Sequence, residues 1–220
     1  MIETHHSFIV KECHAKDLLR DEFEVLYADC ANKKAKSHIL DIMVMISRQV
    51  DLTLALIYLE DKLVGASAFY TKNKETQNST CSLYNLFSLS PGAGSLAFEY
   101  YWKYASTNAR WFKFYVSKHA HLFYNKRNLK YFGASKTGDT YFAFGRITSS
   151  NMVESMNAWN VNYKNLTGLD QAYFDMNMKM IIKKNTFGYP KLKGLFKSYL
   201  DENLLPLDSV EITSLDNFFS

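Results

Sequence analysis

The sequence has no long apolar segment. Within its 220 residues, no uninterrupted apolar run approaches the roughly 20 residues that a membrane-spanning helix requires. The first six residues, Met1–His6, also lack the basic-then-apolar order of a secretory signal peptide. These two absences predict a protein that does not cross a membrane and is located in the cytoplasm.

Cysteine is scarce and widely spaced. The three cysteines are Cys13, Cys30 and Cys81, and no two of them form a C-x-x-C motif. An odd, dispersed set of this kind indicates neither a disulfide framework nor a zinc site.

Acidic residues are absent from one long stretch. Between Tyr100 and Gly138 there is no Asp or Glu, and all the charged side chains are basic. They are Lys103, Arg110, Lys113, Lys118, Lys126, Arg127, Lys130 and Lys136. The net charge of the whole chain is only +4, so basic charge is concentrated here. Such a field favours an anionic ligand, either a phosphorylated cofactor or a nucleic acid.

Apolar and aromatic residues, by contrast, are abundant. They make up 47% and 15% of the sequence, enough for a substantial core at this length. The apolar periodicity predicts alternating strands and helices. In chain order these are a strand at His6–Glu12, helices at Ala15–Ala31 and from Ser37 onward, a hairpin of Leu52–Leu59 and Leu63–Tyr70, a strand at Leu83–Leu89, a helix after Gly94, a strand at Trp111–Val116, a helix at His119–Arg127, and a hairpin of Tyr131–Ser135 and Thr140–Phe144.

One stretch changes from strand to helix across a turn that contains two glycines. Leu83–Leu89 is apolar enough for a buried strand, and Leu96, Tyr100 and Tyr104 then recur at helical spacing. The Pro91–Gly94 turn between them permits a close approach to the main chain. Because the first N–H groups of a helix and its dipole bind phosphate, the turn predicts an anion site. Glycine turns before helices also occur without any ligand, and that structural interpretation stays open.

Beyond Ile147 the composition changes. Residues 148–220 are rich in Asn and Met, and helical patterns cover Met152–Tyr163 and Tyr173–Lys184. We expect a first domain of residues 1–147 and a partly helical C-terminal extension of residues 148–220 that packs on it. The role of this extension is not indicated by the sequence.

The order of these elements resembles that of the GNAT superfamily of acyl-CoA-dependent N-acyltransferases, from about Phe8 to Ile147. The resemblance implies an α/β (α+β) fold: a mixed, twisted sheet flanked by helices, with the strand at Ser82–Leu89 central. In the pyrophosphate loop of the family, Gln or Arg is followed by two residues, Gly, any residue, and Gly or Ala. Gly92-Ala93-Gly94 matches the glycine positions, whereas Leu89 occupies the Gln/Arg position.

A second match is similar to the family segment Ala-x-x-Leu-Tyr-x-x-x-Gly-Phe, on the helix beside the pantetheine arm. It begins at Ala120 and places Tyr124 on the motif tyrosine. Asn128 stands for the Gly and Leu129 for the Phe. Ser117 occupies the place where many members carry an Asn that bonds the cofactor arm.

The resemblance implies a role for each of these positions in binding an acyl-CoA cosubstrate. The backbone N–H groups that would hold the CoA pyrophosphate are those of Gly92, Ala93, Gly94 and Ser95. The groups that would hold the thioester and pantetheine are the main chain of Leu86, Phe87 and Ser88, together with Ser117. Tyr124 would protonate the departing thiolate after direct attack by an amine, which requires no metal. The general base is left unassigned, because the central strand carries no carboxylate; His119 on another element is one alternative.

Three functions are consistent with the sequence. The leading one is an acyl-CoA-dependent N-acyltransferase, most simply an acetyltransferase, acting on an amine whose identity is open. The second keeps the fold but modifies a nucleobase, with nucleic acid as a less favoured acceptor. The third is a non-catalytic GNAT-like protein that serves in binding or assembly. The oligomeric state is not indicated.

Overall fold

The computed structural model describes residues 8–17, 21–133, 140–183 and 205. The chain divides into two compact units. The first consists of Met1–Tyr70 and Ser82–Tyr104, and the second of Thr71–Cys81 and Ala105–Ser220.

Six strands form one mixed sheet, and helices lie between and after them. The strands follow each other across the sheet in chain order: β1 (Phe8–His14), β2 (Thr53–Leu59), β3 (Lys62–Lys72), β4 (Thr80–Ser88), β5 (Trp111–Ser117) and β6 (Thr140–Arg146). The helices are α1 (Asp21–Asp29), α2 (Lys33–Ser47), α3 (Ala93–Asn108), α4 (His121–Asn125), α5 (Met152–Asn162) and α6 (Gly168–Lys183). The predicted α/β class is confirmed, and β4 is an interior strand as predicted.

In the first unit, β1, β2 and β3 form an antiparallel meander. The β2–β3 turn consists of Glu60 and Asp61, with φ angles of 50° and 60°. Two consecutive left-handed residues are the mark of a type I′ turn, whose twist matches that of the strands it joins. The predicted hairpin is therefore confirmed, and it uses two acidic residues where glycine or asparagine is more usual.

Helix α2 begins at a different residue from the one predicted. The side chain of Asn32 accepts hydrogen bonds from the N–H groups of Lys34 and Ala35, at 3.0 and 3.3 Å. Asn32 is thus the N-cap, and the predicted start of this helix at Ser37 is wrong. The apolar face of α2 packs on the sheet in a core cluster that includes Ile39, Met43 and Phe87.

In the second unit, β5 and β6 pair antiparallel and carry a cluster of buried aromatic residues. The rings of Trp111 and Phe144 stack at 5.1 Å, and Trp159 of α5 meets Trp111 edge-on at 5.8 Å. Phe174 of α6 packs against Phe144 at 6.2 Å. The two helices of the C-terminal extension therefore bury their aromatic side chains on β5 and β6. No helix in the described part of the chain is long and apolar enough to cross a bilayer.

The predicted second hairpin is described only in part. Phe132 N–H donates to Phe142 O and Phe142 N–H donates to Gly133 O, each at 3.0 Å, so the segment that ends at Gly133 pairs with β6. The turn that would join the two, residues 134–139, lies outside the described residues.

Candidate functional site

The strand–turn–helix arrangement predicted from the sequence is present in the first unit. Strand β4 ends at Ser88 and helix α3 begins at Ala93. Gly92, between them, is exposed and has a φ of +88°, a conformation that side-chain-bearing residues rarely adopt. The glycine is therefore required by the backbone of the turn itself.

Two N–H groups of this turn already have acceptors in the protein. Ala93 N–H donates to Ser90 O at 3.2 Å, and Gly94 N–H donates to Ser88 Oγ at 3.1 Å. The Ser88 hydroxyl in turn donates to Ser90 O at 2.8 Å. Because a serine hydroxyl reorients about a single bond, an incoming anion oxygen can replace Ser88 Oγ at Gly94 N–H without a change of backbone.

Helix α3 starts very close to the sheet. A Cβ on Gly94 would lie 3.1 Å from Ser88 Cβ, and one on Gly65 of β3 would lie 3.2 Å from Ala93 Cβ. Glycine at both positions lets the first turn of α3 approach β3 and β4. The close approach brings the helix N-terminus next to the carboxyl end of β4.

The main-chain groups at the end of β4 alternate in direction. Leu89 N–H donates to Val64 O on β3 at 2.7 Å. Phe87 O also faces β3, since it would lie 3.1 Å from a Cβ built on Gly65 of that strand. Successive residues of a strand direct their main-chain groups to opposite edges. Those of Leu86 and Ser88 therefore point away from β3, whereas those of Phe87 point towards it.

One polar side chain of β4, that of Asn85, contacts helix α2. The Asn85 amide is buried and donates from Nδ2 to His38 O at 3.2 Å. Tyr84 is 42% exposed, and burial, followed by the charge of Asp41, raises the pKa of its hydroxyl above the ordinary value. The contact with His38 could not be predicted from the sequence, because nothing local to α2 indicates a partner 47 residues away.

Tyr124 and Ser117 belong to the second unit. Tyr124 is buried in α4, with its ring 5.6 Å from that of Phe114 on β5. Ser117 is exposed at the end of β5. Asn128, which stands for the Gly of the family motif, has a left-handed φ of 53°, and Leu129 after it is buried.

Part of the basic stretch is neutralised by the extension. The carboxylate of Asp170 in α6 lies 3.3 Å from Arg110 Nη2 and 2.7 Å from Arg146 Nη1. Arg127 donates to Phe123 O at 2.8 Å and places its guanidinium 3.9 Å from the centroid of that ring. These contacts engage two of the eight basic residues that the sequence assigned to an anionic ligand.

The second unit also contains a surface pocket of about 330 Å³. Its polar walls come from Arg146, Thr148 and two asparagines, Asn162 and Asn165. No residue predicted from the sequence to bind CoA lines this pocket.

The comparisons with known proteins bear on the fold. No protein-family profile matches the sequence, and no curated protein matches it. A probable acetyltransferase from Staphylococcus epidermidis ATCC 12228 aligns with a TM-score of 0.50 and 14% identity, covering 64% of this chain and 100% of that one. A putative GNAT-family acetyltransferase from Desulfovibrio desulfuricans aligns with a TM-score of 0.49 and 12% identity, covering 63% and 99%.

A third structure is the Campylobacter jejuni N-acetyltransferase PseH in complex with acetyl coenzyme A. It aligns with a TM-score of 0.45 and 18% identity, covering 64% of this chain and 100% of that one. Sequence identities this low indicate a shared architecture but do not indicate a shared reaction. Together with the mixed sheet and the strand–turn–helix unit at β4, the similarity to the Staphylococcus epidermidis structure shows that this chain has the GNAT fold.

Proposed function

We propose that the protein is an acyl-CoA-dependent N-acyltransferase, most simply an acetyltransferase, that acylates an amine. The observation that carries the proposal is the turn between β4 and α3. It places a helix N-terminus, with Gly92 at a φ of +88°, directly after an interior strand of a GNAT fold. Such an N-terminus suits a pyrophosphate because its N–H groups and dipole favour negative charge.

The residues of the turn fit a pyrophosphate if one hydroxyl moves. In the proposal, Gly94 N–H exchanges Ser88 Oγ for a phosphate oxygen, and Gly92 and Ser95 add further N–H groups. The main-chain groups of Leu86 and Ser88, which point away from β3, hold the pantetheine arm. CoA supplies the thioester that the amine attacks. Phe87, whose carbonyl faces Gly65, supports the strand by packing against α2.

Tyr124 and Ser117 are assigned by the resemblance. In the proposal Tyr124 protonates the departing thiolate, and Ser117 bonds the cofactor arm. The buried ring of Tyr124 on Phe114 keeps one orientation, which suits a proton donor.

The proposal is tested by binding measurements with two acyl donors. Acetyl-CoA and S-acetylpantetheine carry the same thioester, but only the first has phosphates. Calorimetry should show that acetyl-CoA binds much more tightly, and amines added to the complex should release free thiol. Equal binding of both donors, or no binding of acetyl-CoA, would refute the assignment of the turn.

Nucleic acid remains a second candidate acceptor because of the acid-free basic stretch. If a polynucleotide were the substrate, its affinity should fall steeply with salt, and replacing Lys126, Arg127 and Lys130 together should flatten that dependence. Since Arg127 already bonds Phe123 O, we expect a small effect at that position. Absence of binding at low salt removes this candidate.

The same assays distinguish the non-catalytic alternative from an active acyltransferase. A binding or assembly protein with this fold would bind acetyl-CoA and yet release no thiol with any amine. The lack of a carboxylate on β4 is the feature that favours it.

A further inference from the structure

One side chain on β4 has an unsatisfied hydrogen-bond acceptor. Asn85 is 5% exposed, and its Nδ2 donates to His38 O at 3.2 Å. Its Oδ1 is buried and has no hydrogen-bond partner among the described residues. The amide cannot be turned around, because His38 O is itself an acceptor and requires the Nδ2 side.

The residue bonded to Asn85 presents a second such atom. Nδ1 of His38 is also buried without a partner in the described part of the chain. The ring nitrogen Nδ1 is an acceptor in the tautomer that carries its proton on Nε2. In that tautomer both atoms are buried acceptors without a donor, which is costly, so together they fit a ligand that supplies N–H or O–H groups.

The surrounding charge favours a cation. Asp41 lies one helical turn from His38 on α2, and its negative charge helps to raise the pKa of the hydroxyl of Tyr84, the residue before Asn85. Arg48 acts on Tyr84 in the opposite direction and less strongly. A primary ammonium group meets both requirements, because it donates N–H groups and carries a positive charge.

We propose that Asn85 Oδ1 and His38 Nδ1 receive the N–H groups of the amine acceptor. The inference rests on the proposed function, in which the thioester lies along the next residues of β4, Leu86 and Ser88. Asn85 then binds and positions the amine, on a strand that carries no carboxylate.

The first test separates a binding role from a structural one. Asn85→Leu keeps the size of the side chain and removes both the unpaired acceptor and the bond to His38 O, whose effects on stability oppose each other. The variant should therefore lose less stability than one that only loses a buried hydrogen bond. The control is Ser67→Ala, which removes a satisfied buried hydrogen bond to Ala97 O at 2.9 Å and should lower the melting temperature. A larger loss in Asn85→Leu than in Ser67→Ala would make Asn85 structural and overturn the proposal.

The second test uses methylammonium as the probe, with tetramethylammonium, which has no N–H groups, at the same ionic strength. Methylammonium at about ten times its Kd should raise the wild-type melting temperature by about 3 °C or more. Tetramethylammonium should not, and Asn85→Leu should abolish the rise while Ser67→Ala keeps it. Equal shifts with both cations, an undiminished shift in Asn85→Leu, or no shift with methylammonium at any concentration would overturn the proposal.

This readout needs no acyl-CoA. If acetyl-CoA fails to bind while methylammonium gives the expected pattern, the proposed function fails and the cation site stands. If acetyl-CoA binds and methylammonium gives no pattern, the proposed function stands and the assignment of Asn85 fails.

Discussion

The N–H group of Gly94 donates to the hydroxyl of Ser88, 3.1 Å away. The protein therefore fills with its own oxygen the position at which a phosphate oxygen is proposed to bind. Since the hydroxyl also donates to Ser90 O at 2.8 Å, it bridges the end of β4 and the start of α3. Binding of a pyrophosphate here is an exchange of one acceptor for another, and its free energy depends on how firmly Ser88 is held.

Replacing Ser88 with Ala should make that exchange unnecessary. Gly94 N–H then loses its acceptor in the free protein, which should cost about 0.5–1.5 kcal/mol of the free energy of unfolding. The same free energy is recovered when a phosphate oxygen binds, so the affinity for CoA should rise by up to about tenfold. Urea unfolding and calorimetric titration with CoA measure the two effects.

Ser90→Ala is the matched control for this prediction. Ser90 contributes its carbonyl oxygen and not its side chain to the turn, so Ser88 keeps its bond and CoA affinity should stay at the wild-type value. Weaker CoA binding in Ser88→Ala would mean that the hydroxyl itself contacts the cofactor.

A negative charge in the first turn of α3 should oppose CoA. Ser95 is half-buried there, and Ser95→Glu should reduce CoA affinity by about tenfold or more through repulsion from the phosphates. The dipole of α3 favours a carboxylate at this end, so stability should not fall on account of the charge. Gly94 is less suitable for this test, because a Cβ there would lie 3.1 Å from Ser88 Cβ. Ser95→Gln has the same size without the charge, and a similar loss of affinity in both variants would attribute the effect to bulk.

The order of strands and helices could be predicted from the sequence because apolar periodicity is a local signal. The turn at Glu60 and Asp61 was predictable for the same reason, because it lies between two strands that their apolar residues identify. Asn128 likewise lies directly after the predicted helix. Helix starts are less well determined: Asn32 and Ser37 are both good caps, and the residues between them are mostly basic and show no apolar face. Only the structure shows that Asn32 accepts the first N–H groups.

The site could be predicted only as far as its local motif. The glycine turn is contiguous in sequence, so its position before α3 was predictable. The hydrogen bond of Asn85 to His38 joins residues 47 apart, and the pairing of Asp170 with Arg110 spans 60. Neither contact can be recognised from local composition. The second also neutralises part of the basic charge from which an anionic ligand was predicted.

Tyr124→Phe should reduce turnover and leave binding intact. The ring keeps its packing on Phe114, whose centroid is 5.6 Å away, and only the hydroxyl is lost. A CoA thiolate is already a fair leaving group, so the reduction should lie near the lower end of general-acid catalysis, about 10²-fold. Steady-state thiol release measures the rate, and calorimetry with acetyl-CoA measures binding. Wild-type turnover, or a large loss of stability, would assign Tyr124 to packing.

The left-handed turn after α4 offers a test of the second sequence match. Asn128 has a φ of 53°, and its side chain donates to Asn157 of α5, while Asn160 Nδ2 donates to its carbonyl at 3.0 Å. Asn128→Ala loses the bond to Asn157 and adds the cost of a left-handed alanine, about 1–2 kcal/mol. Asn128→Gly, the residue that the family motif carries, loses the bond but adopts this φ readily. The Ala variant should therefore unfold at a lower urea concentration than the Gly variant, with the Asn160 bond kept in both. Equal urea midpoints for the two variants would show that the backbone relaxes out of the left-handed region. The position would then not require glycine or asparagine.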